Sequence, residues 1–201
     1  MAQDTLAPWA EIVPGKGRMT IDEMMALPDD GWMYELVDGR LVRMPHSGGE
    51  ASRIAARLLG ALLNFVDANE LGAITGADGE FDLTQPGDTD ETALAPDVAF
   101  VRSEHIPATS SPEYKKAWPV APDLVGEVVS PSQYRPEMAA KARRYLDAGV
   151  RLLWMVWPKY QQVDIWRAGA NEPAATLGIN DTLDGEGVLP GFTYPVARLF
   201  K

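Results

Sequence analysis

The chain of 201 residues is long enough for one well-buried domain and short for two, and no uncharged stretch approaches the roughly 18 to 20 residues of a membrane span. Hydrophobic residues make up 46% and charged residues 23%, which are ordinary globular values. The 18 Lys and Arg stand against 29 Asp and Glu, a net charge of −11, the reverse of the basic footprint of a nucleic-acid binder, so composition by itself argues against a DNA partner. The absence of cysteine excludes disulfides, thiolate metal sites and cysteine nucleophiles. Met1 to Pro14 carries Asp4 and Glu11 and neither Lys nor Arg, unlike the charged start of a secretory signal, so the cytoplasm is the expected compartment.

Residues 1–18, with Pro8, Pro14, Gly15 and Gly17, have no sustained period and read as an N-terminal arm without chemistry, ahead of a single domain over 19–201. Thr20 with Glu23 forms a capping box for a short helix that Pro28 stops. Met33 to Val37 and Leu41 to Met44 flank Asp38-Gly39-Arg40, a strong hairpin signal. After His46-Ser47-Gly48-Gly49, the spacing of Ile54, Leu58, Leu62, Phe65 and Val66 predicts an amphipathic helix over residues 50–68.

Gly72 to Thr84 and Ala95 to Val101 read as strands joined by an acidic connection, and no basic residue occurs between Arg57 and Arg102. Residues 103–122, with Pro107, Pro112, Pro119 and Pro122, read as loop. Asp123 to Val129 is an apolar strand with Glu127 embedded in it, and the Ser130-Pro131-Ser132 turn follows. Pro136 and Gly149 bracket a helix over Glu137 to Ala148, and Arg151 to Trp157 with Gln162 to Arg167 form a second hairpin. The order of elements predicts an α+β domain with an α/β-type core, a mixed β-sheet flanked by helices.

His46 and His105 lie in loops outside any metal-ligand spacing and read as solvated surface residues. No serine elbow or phosphate loop is present. The informative residues are carboxylates inside apolar strands, Glu35, Asp97 and Glu127, because an ionised acid there costs several kcal/mol without a cation or hydrogen bonds. If the Asp97 and Glu127 strands are neighbours, the two acids can converge on one hard cation, and oxygen-only ligation suits Mg²⁺ or Mn²⁺. The alternative is a pair of solvated strand-end acids. Lys141, on the helix after the Glu127 strand, can return a cation towards that strand's end or lie on the surface.

These segments, in order, resemble the PD-(D/E)XK restriction-endonuclease-like superfamily and, within it, the Uma-two type of restriction endonucleases. The resemblance rests on Tyr34-Glu35-Leu36-Val37-Asp38-Gly39-Arg40-Leu41-Val42, Arg53 to Leu58, Ala95-Pro96-Asp97-Val98-Ala99-Phe100-Val101 and Pro122 to Ser132. It continues through Lys141 with Tyr145, Ala148-Gly149-Val150, Leu153-Trp154-Met155-Val156 and Leu189-Pro190-Gly191-Phe192. It implies a metal-dependent nuclease acting on DNA, in which Asp97 and Glu127 ligate Mg²⁺, Lys141 acts on the scissile phosphate or the attacking water, and Glu35 completes the acidic cluster. It also implies a homodimer.

Three positions depart from the family pattern. The superfamily lysine two residues after the second acid is replaced by Val129, which moves the role to Lys141. Glu50-Ala51-Ser52 stands where a histidine often precedes the long helix, and Trp157 stands where an acid often precedes the proline. The displaced lysine and the net −11 keep a catalytically silent binding or dimerisation module as the alternative, and a sugar hydrolase using Glu35 and Glu127 as acid and base ranks last. Arg135, Lys141, Arg143, Arg144, Arg151 and Lys159 against Glu137 and Asp147 give residues 135–159 a local +4, a segment basic enough to meet DNA.

Overall fold

A computed structural model describes residues 7–44 and 48–201. In chain order the elements begin with β1 (Glu11–Ile12), α1 (Ile21–Met25), β2 (Met33–Val37), β3 (Arg40–Met44) and α2 (Gly49–Ala68). There follow β4 (Gly72–Gly76), β5 (Phe81–Asp82), β6 (Ala93–Leu94), β7 (Val98–Arg102), β8 (Leu124–Val128) and α3 (Arg135–Asp147). The chain closes with β9 (Leu152–Trp157), β10 (Gln162–Arg167), β11 (Ala175–Leu177), β12 (Thr182–Asp184) and β13 (Thr193–Pro195).

The strands form a six-stranded sheet in the order β11-β10-β9-β8-β7-β4, a five-stranded sheet in the order β1-β3-β2-β6-β5, and the small pair β12-β13. Within the larger sheet β8 and β9 run parallel and the other neighbours are antiparallel. A parallel pair needs a crossover, and α3 supplies it. The architecture is the expected α+β one, with a mixed sheet between helices.

Side chains alternate across the larger sheet. Val125, Val129, Leu153 and Met155 join a core with Met138, Ala142 and Tyr145 of α3. Leu124, Val128, Leu152 and Trp154 join another with Ile54, Leu58, Leu62 and Val66 of α2. Helix α2 lies so close to β8 that a Cβ on Gly126 would come within 2.7 Å of Leu58 Cδ2, which is why a glycine precedes Glu127. Local signals agree with their elements. Thr20 Oγ1 accepts from the Glu23 amide at 3.2 Å while Glu23 Oε2 accepts from the Thr20 amide at 2.8 Å. Asp38 and Gly39 both take positive φ, 46° and 71°, as a tight hairpin turn requires.

Two strand boundaries differ from expectation. Gly72 to Thr84 is two strands in different sheets, β4 and β5, separated by a turn at Ala77-Asp78-Gly79 in which the Gly79 amide donates to Gly76 O at 2.9 Å. Likewise the chain passes from β6 in the smaller sheet to β7 in the larger one through Ala95-Pro96-Asp97. Pro96 has no N–H for a ladder, so the strand breaks there and Asp97 stands at the junction of the two sheets. The arm also does more than lie on the domain: β1 pairs with β3, and Ala7 and Trp9 are buried.

Candidate active site

The register of β7 on β8 pairs Val98 with Gly126, so one step further Asp97 stands across from Glu127. Asp97 Oδ2 accepts the Val128 amide at 2.7 Å, which pins its carboxylate to the end of β8. Glu127 shares the α3-facing side with Val125 and Val129, as strand alternation predicts, and is buried. From α3, Lys141 reaches it. Lys141 Nζ lies 3.0 Å from Glu127 Oε1 and 3.0 Å from Glu35 Oε1. One helical turn on, Tyr145 donates its hydroxyl to Glu127 Oε1 at 2.8 Å.

Glu35 comes from β2 in the smaller sheet and is fully buried. Its Oε1 also accepts from the Ala95 amide at 3.3 Å, and its Oε2 accepts from Trp9 Nε1 at 3.2 Å. Both oxygens are therefore engaged by protein donors. Trp9 is in turn held where Gln133 Nε2 donates to its carbonyl at 3.3 Å while Gln133 Oε1 accepts from the Ser130 amide at 3.0 Å. The structure thus brings together Glu35, Asp97, Glu127 and Lys141. It adds Trp9 and Tyr145, and a lone tryptophan inside a Pro- and Gly-rich arm was the available signal for the former.

Burial raises the Asp97 carboxyl, against the lowering effect of the Val128 amide and of Lys141. Burial likewise pushes Glu127 up to about 7, with Lys141 opposing and the Asp97 and Glu35 charges adding to the rise. For Lys141, burial favours the neutral amine, but the Glu127 and Glu35 carboxylates outweigh it and hold the ammonium above the ordinary lysine value. Burial also raises the Tyr145 hydroxyl, which stays protonated and donating.

Glu35 and Glu127 thus share one buried ammonium, whose charge also acts on the nearby Asp97, a deficit of two positive charges when all three acids are ionised. A cavity of about 80 Å³ opens beside Asp97, Glu127 and Lys141. Among the described residues no group of three or more His, Asp or Glu side chains is arranged to hold a metal ion. The available donor set is Asp97 with Glu127, and a pair of carboxylates completed by water or phosphate oxygens is the ordinary coordination of Mg²⁺. The charge deficit and the hard-oxygen donors both fit such an ion.

His46 lies outside the described residues. His105 is not simply solvated, since its Nδ1 lies 3.0 Å from Oδ2 of the buried Asp123, far along β8 from Glu127. Val129, at the superfamily lysine position, is buried in the α3-side core. Trp157 donates Nε1 to Asp164 Oδ2 at 2.8 Å. The sugar-hydrolase reading loses its geometry, because Glu35 and Glu127 are bound to the same ammonium and Trp154 and Trp166 are buried in the core. The local +4 is mostly consumed inside the fold: Lys141 by Glu35 and Glu127, Arg144 by Asp38 at 2.6 Å and Arg135 by Asp164 at 2.5 Å. Burial raises Glu80 to about 7, with the Glu35 charge adding, and its Oε2 is buried with no hydrogen-bond partner among the described residues. Nothing in the pattern around Asp78-Gly79-Glu80 singles that residue out.

Residues 21–197 match the family model Uma2, described as putative restriction endonuclease. A crystal structure of a putative nuclease belonging to DUF820 from Anabaena variabilis ATCC 29413 superposes with a TM-score of 0.74 at 19% identity, over 90% of this chain and 97% of that one. At that identity the likeness establishes a shared fold, the restriction-endonuclease-like arrangement expected from the sequence. No curated protein matches the chain. No helix among the described residues is long and apolar enough to cross a membrane.

Proposed function

The chain belongs to the Uma2 family of putative restriction endonucleases, and from that membership we propose that it hydrolyses DNA phosphodiester bonds with Mg²⁺ or Mn²⁺ at the Asp97–Glu127 pair. The observation that carries the reading is the pair of buried carboxylates, Glu35 and Glu127, on one ammonium with the partly buried Asp97 across from Glu127, beside a small cavity that Asp97, Glu127 and Lys141 line. A closed structural network would be neutral. With all three acids ionised, this one has room for two further positive charges.

Asp97 and Glu127 would hold the cation through the oxygens not already engaged, since Asp97 Oδ2 is taken by the Val128 amide and Glu127 Oε1 by Lys141 and Tyr145. When bound, the cation polarises a phosphoryl oxygen and makes water a better nucleophile at neutral pH. Lys141 offsets the negative charge that grows on the phosphate as the bond to the attacking oxygen forms. Glu35, with both oxygens committed, positions Lys141 rather than joining the metal's ligands. Tyr145 fixes the Glu127 carboxylate, and Trp9 covers the Glu35 side of the network.

The test is cleavage of plasmid DNA with Mg²⁺ or Mn²⁺ by the wild type and Asp97→Ala, with calorimetric titration of the ion alongside. Expected are metal-dependent cleavage, a loss of roughly 10²-fold or more in the variant, and ion binding that the variant abolishes. Equal cleavage by the two proteins would remove Asp97 from the chemistry. Neither cleavage nor ion binding by the wild type would make this a silent nuclease fold, with Lys141 as the permanent counter-ion.

A further inference from the structure

A second cavity, of about 380 Å³, adjoins the acidic one and shares Ser130 and Gln133 with it. Tyr134, Trp157 and Tyr160 line it together with Arg135 and Lys159. The guanidinium carbon of Arg135 stands 4.6 Å from the ring centre of Trp157 and 5.5 Å from that of Tyr160. Arg135 and Trp157 are fixed from behind by one buried carboxylate. Asp164 Oδ2 accepts from Arg135 at 2.5 Å and from Trp157 Nε1 at 2.8 Å, while its Oδ1 accepts from Thr176 at 2.6 Å.

Asp164 is 2% exposed and Trp157 is buried, so the back of this wall is anchored in the core. Tyr134 and Tyr160, at 65% and 51% exposed, present their rings to solvent beside it. Lys159 has no carboxylate partner among the described residues and sits 5.6 Å from the Tyr160 ring centre. Aromatic faces next to a free ammonium match a base and its phosphate, because every base offers a π-face to stack and its phosphate offers a charge to pair. A base inside a duplex has both faces covered by its neighbours, so the occupant must be unpaired.

We propose that this cavity binds an unpaired nucleobase of the strand lying across the Asp97–Glu127 site, which makes single-stranded or locally opened DNA the preferred substrate. The inference rests on the nuclease reading for the identity of the strand, and on the aromatic cavity for its unpaired state. The shared Ser130 and Gln133 connect the two: a backbone whose phosphate lies at the carboxylates has its next base within reach of the neighbouring cavity.

The test is fluorescence anisotropy with an end-labelled oligo-dT and a duplex of equal length, in Ca²⁺ at low ionic strength, for the wild type, Tyr160→Ala, Tyr134→Ala and Tyr160→Phe. Single-strand binding at least tenfold tighter than duplex binding is expected, with about a tenfold loss in each alanine variant and near wild-type affinity in Tyr160→Phe, which keeps the ring. Equal affinity for the two DNAs, alanine variants that bind as the wild type does, or no measurable single-strand binding each overturns the proposal. The readout does not depend on cleavage. A wild type that binds the single strand in this pattern but never cuts defeats the nuclease reading alone, and one that cuts without the pattern defeats this inference alone.

Discussion

The two ends of β8 carry buried carboxylates on the same face of the sheet, Asp123 just before the strand and Glu127 near its end, and they are solvated by the protein in opposite ways. Asp123 is one carboxylate among many partners: the Arg102 amide at 3.0 Å, the Arg102 Nε at 3.3 Å, His105 Nδ1 at 3.0 Å and, further off, Arg151 at 3.9 Å. Glu127 divides a single ammonium with Glu35, and the Asp97 charge lies close by as well. Burial is nearly the same at both, 3% and 5% exposed, so depth does not separate them. Partner supply does. A buried acid with several donors ties elements together, here residues 102–105 to the start of β8, whereas a buried acid short of positive charge has its carboxyl pushed up by burial and by its acidic neighbours.

The contrast breaks first at Lys141. Lys141→Ala leaves Glu35 and Glu127 buried without their shared ammonium and is expected to cost about 3–5 kcal/mol at pH 8, read from urea denaturation, in addition to the loss of the proposed cleavage. Arg151→Ala at the other end removes a distant, half-exposed partner of Asp123 and should cost under about 1 kcal/mol. Similar costs for the two would mean that partner supply does not distinguish the ends.

Asp123→Asn comes next in size. It keeps the shape but weakens charge-assisted bonds to the Arg102 amide and His105, for an expected loss of about 1–3 kcal/mol. Cleavage per folded molecule should stay unchanged, because no part of this network reaches the acidic cavity. A drop in activity comparable to that of Asp97→Ala, in a protein shown to be folded, would merge the two ends into one site.

Much of this was legible in the sequence because its signals are local. Alternation in residues 123–129 set the face of Glu127, the Pro136 to Gly149 bracket delivered Lys141, and the Asp38-Gly39 step gave the first hairpin. The need to compensate an acid in an apolar strand singled out Glu35, Asp97 and Glu127. What stayed hidden depends on how distant segments meet. Pairing β6 with β2, and β5 with β6, rather than with β4 or β7 splits the two predicted strands between sheets, and Glu35 reaches Lys141 from the smaller of the two. Asp78-Gly79 carried a turn signal that could have marked the first break, and Pro96 the second. Trp9 stands out only as a tryptophan in a Pro- and Gly-rich arm, and its partner stayed hidden because the contact with Glu35 spans 26 residues of chain. The basic segment misled in the same way: its charge is real along the chain, but the partners that neutralise it come from β2, β8, β10 and the turn at Asp38.

Glu80 sharpens the comparison at its smallest scale, as an acid near the cluster with no donor at all on Oε2. Burial holds its folded pKa up at about 7, against an ordinary value of 4.5. The folded protein therefore keeps this proton over a range in which the unfolded chain has released it, and stability falls as pH rises from about 4.5 through about 7. Glu80→Gln removes the titration while keeping the shape. The variant should match the wild type near pH 4.5, where both side chains are neutral, and exceed it by on the order of 1–2 kcal/mol at pH 8, where the wild type carries the uncompensated charge. Urea denaturation at the two pH values measures the difference. A gain of equal size at both, or none at pH 8, would show that the charge at Glu80 is already compensated. A gain confined to the alkaline side, opposite in sign to the loss in Asp123→Asn, would show the cation deficit around Lys141 extending from the β8 end to the β5 side of the cluster.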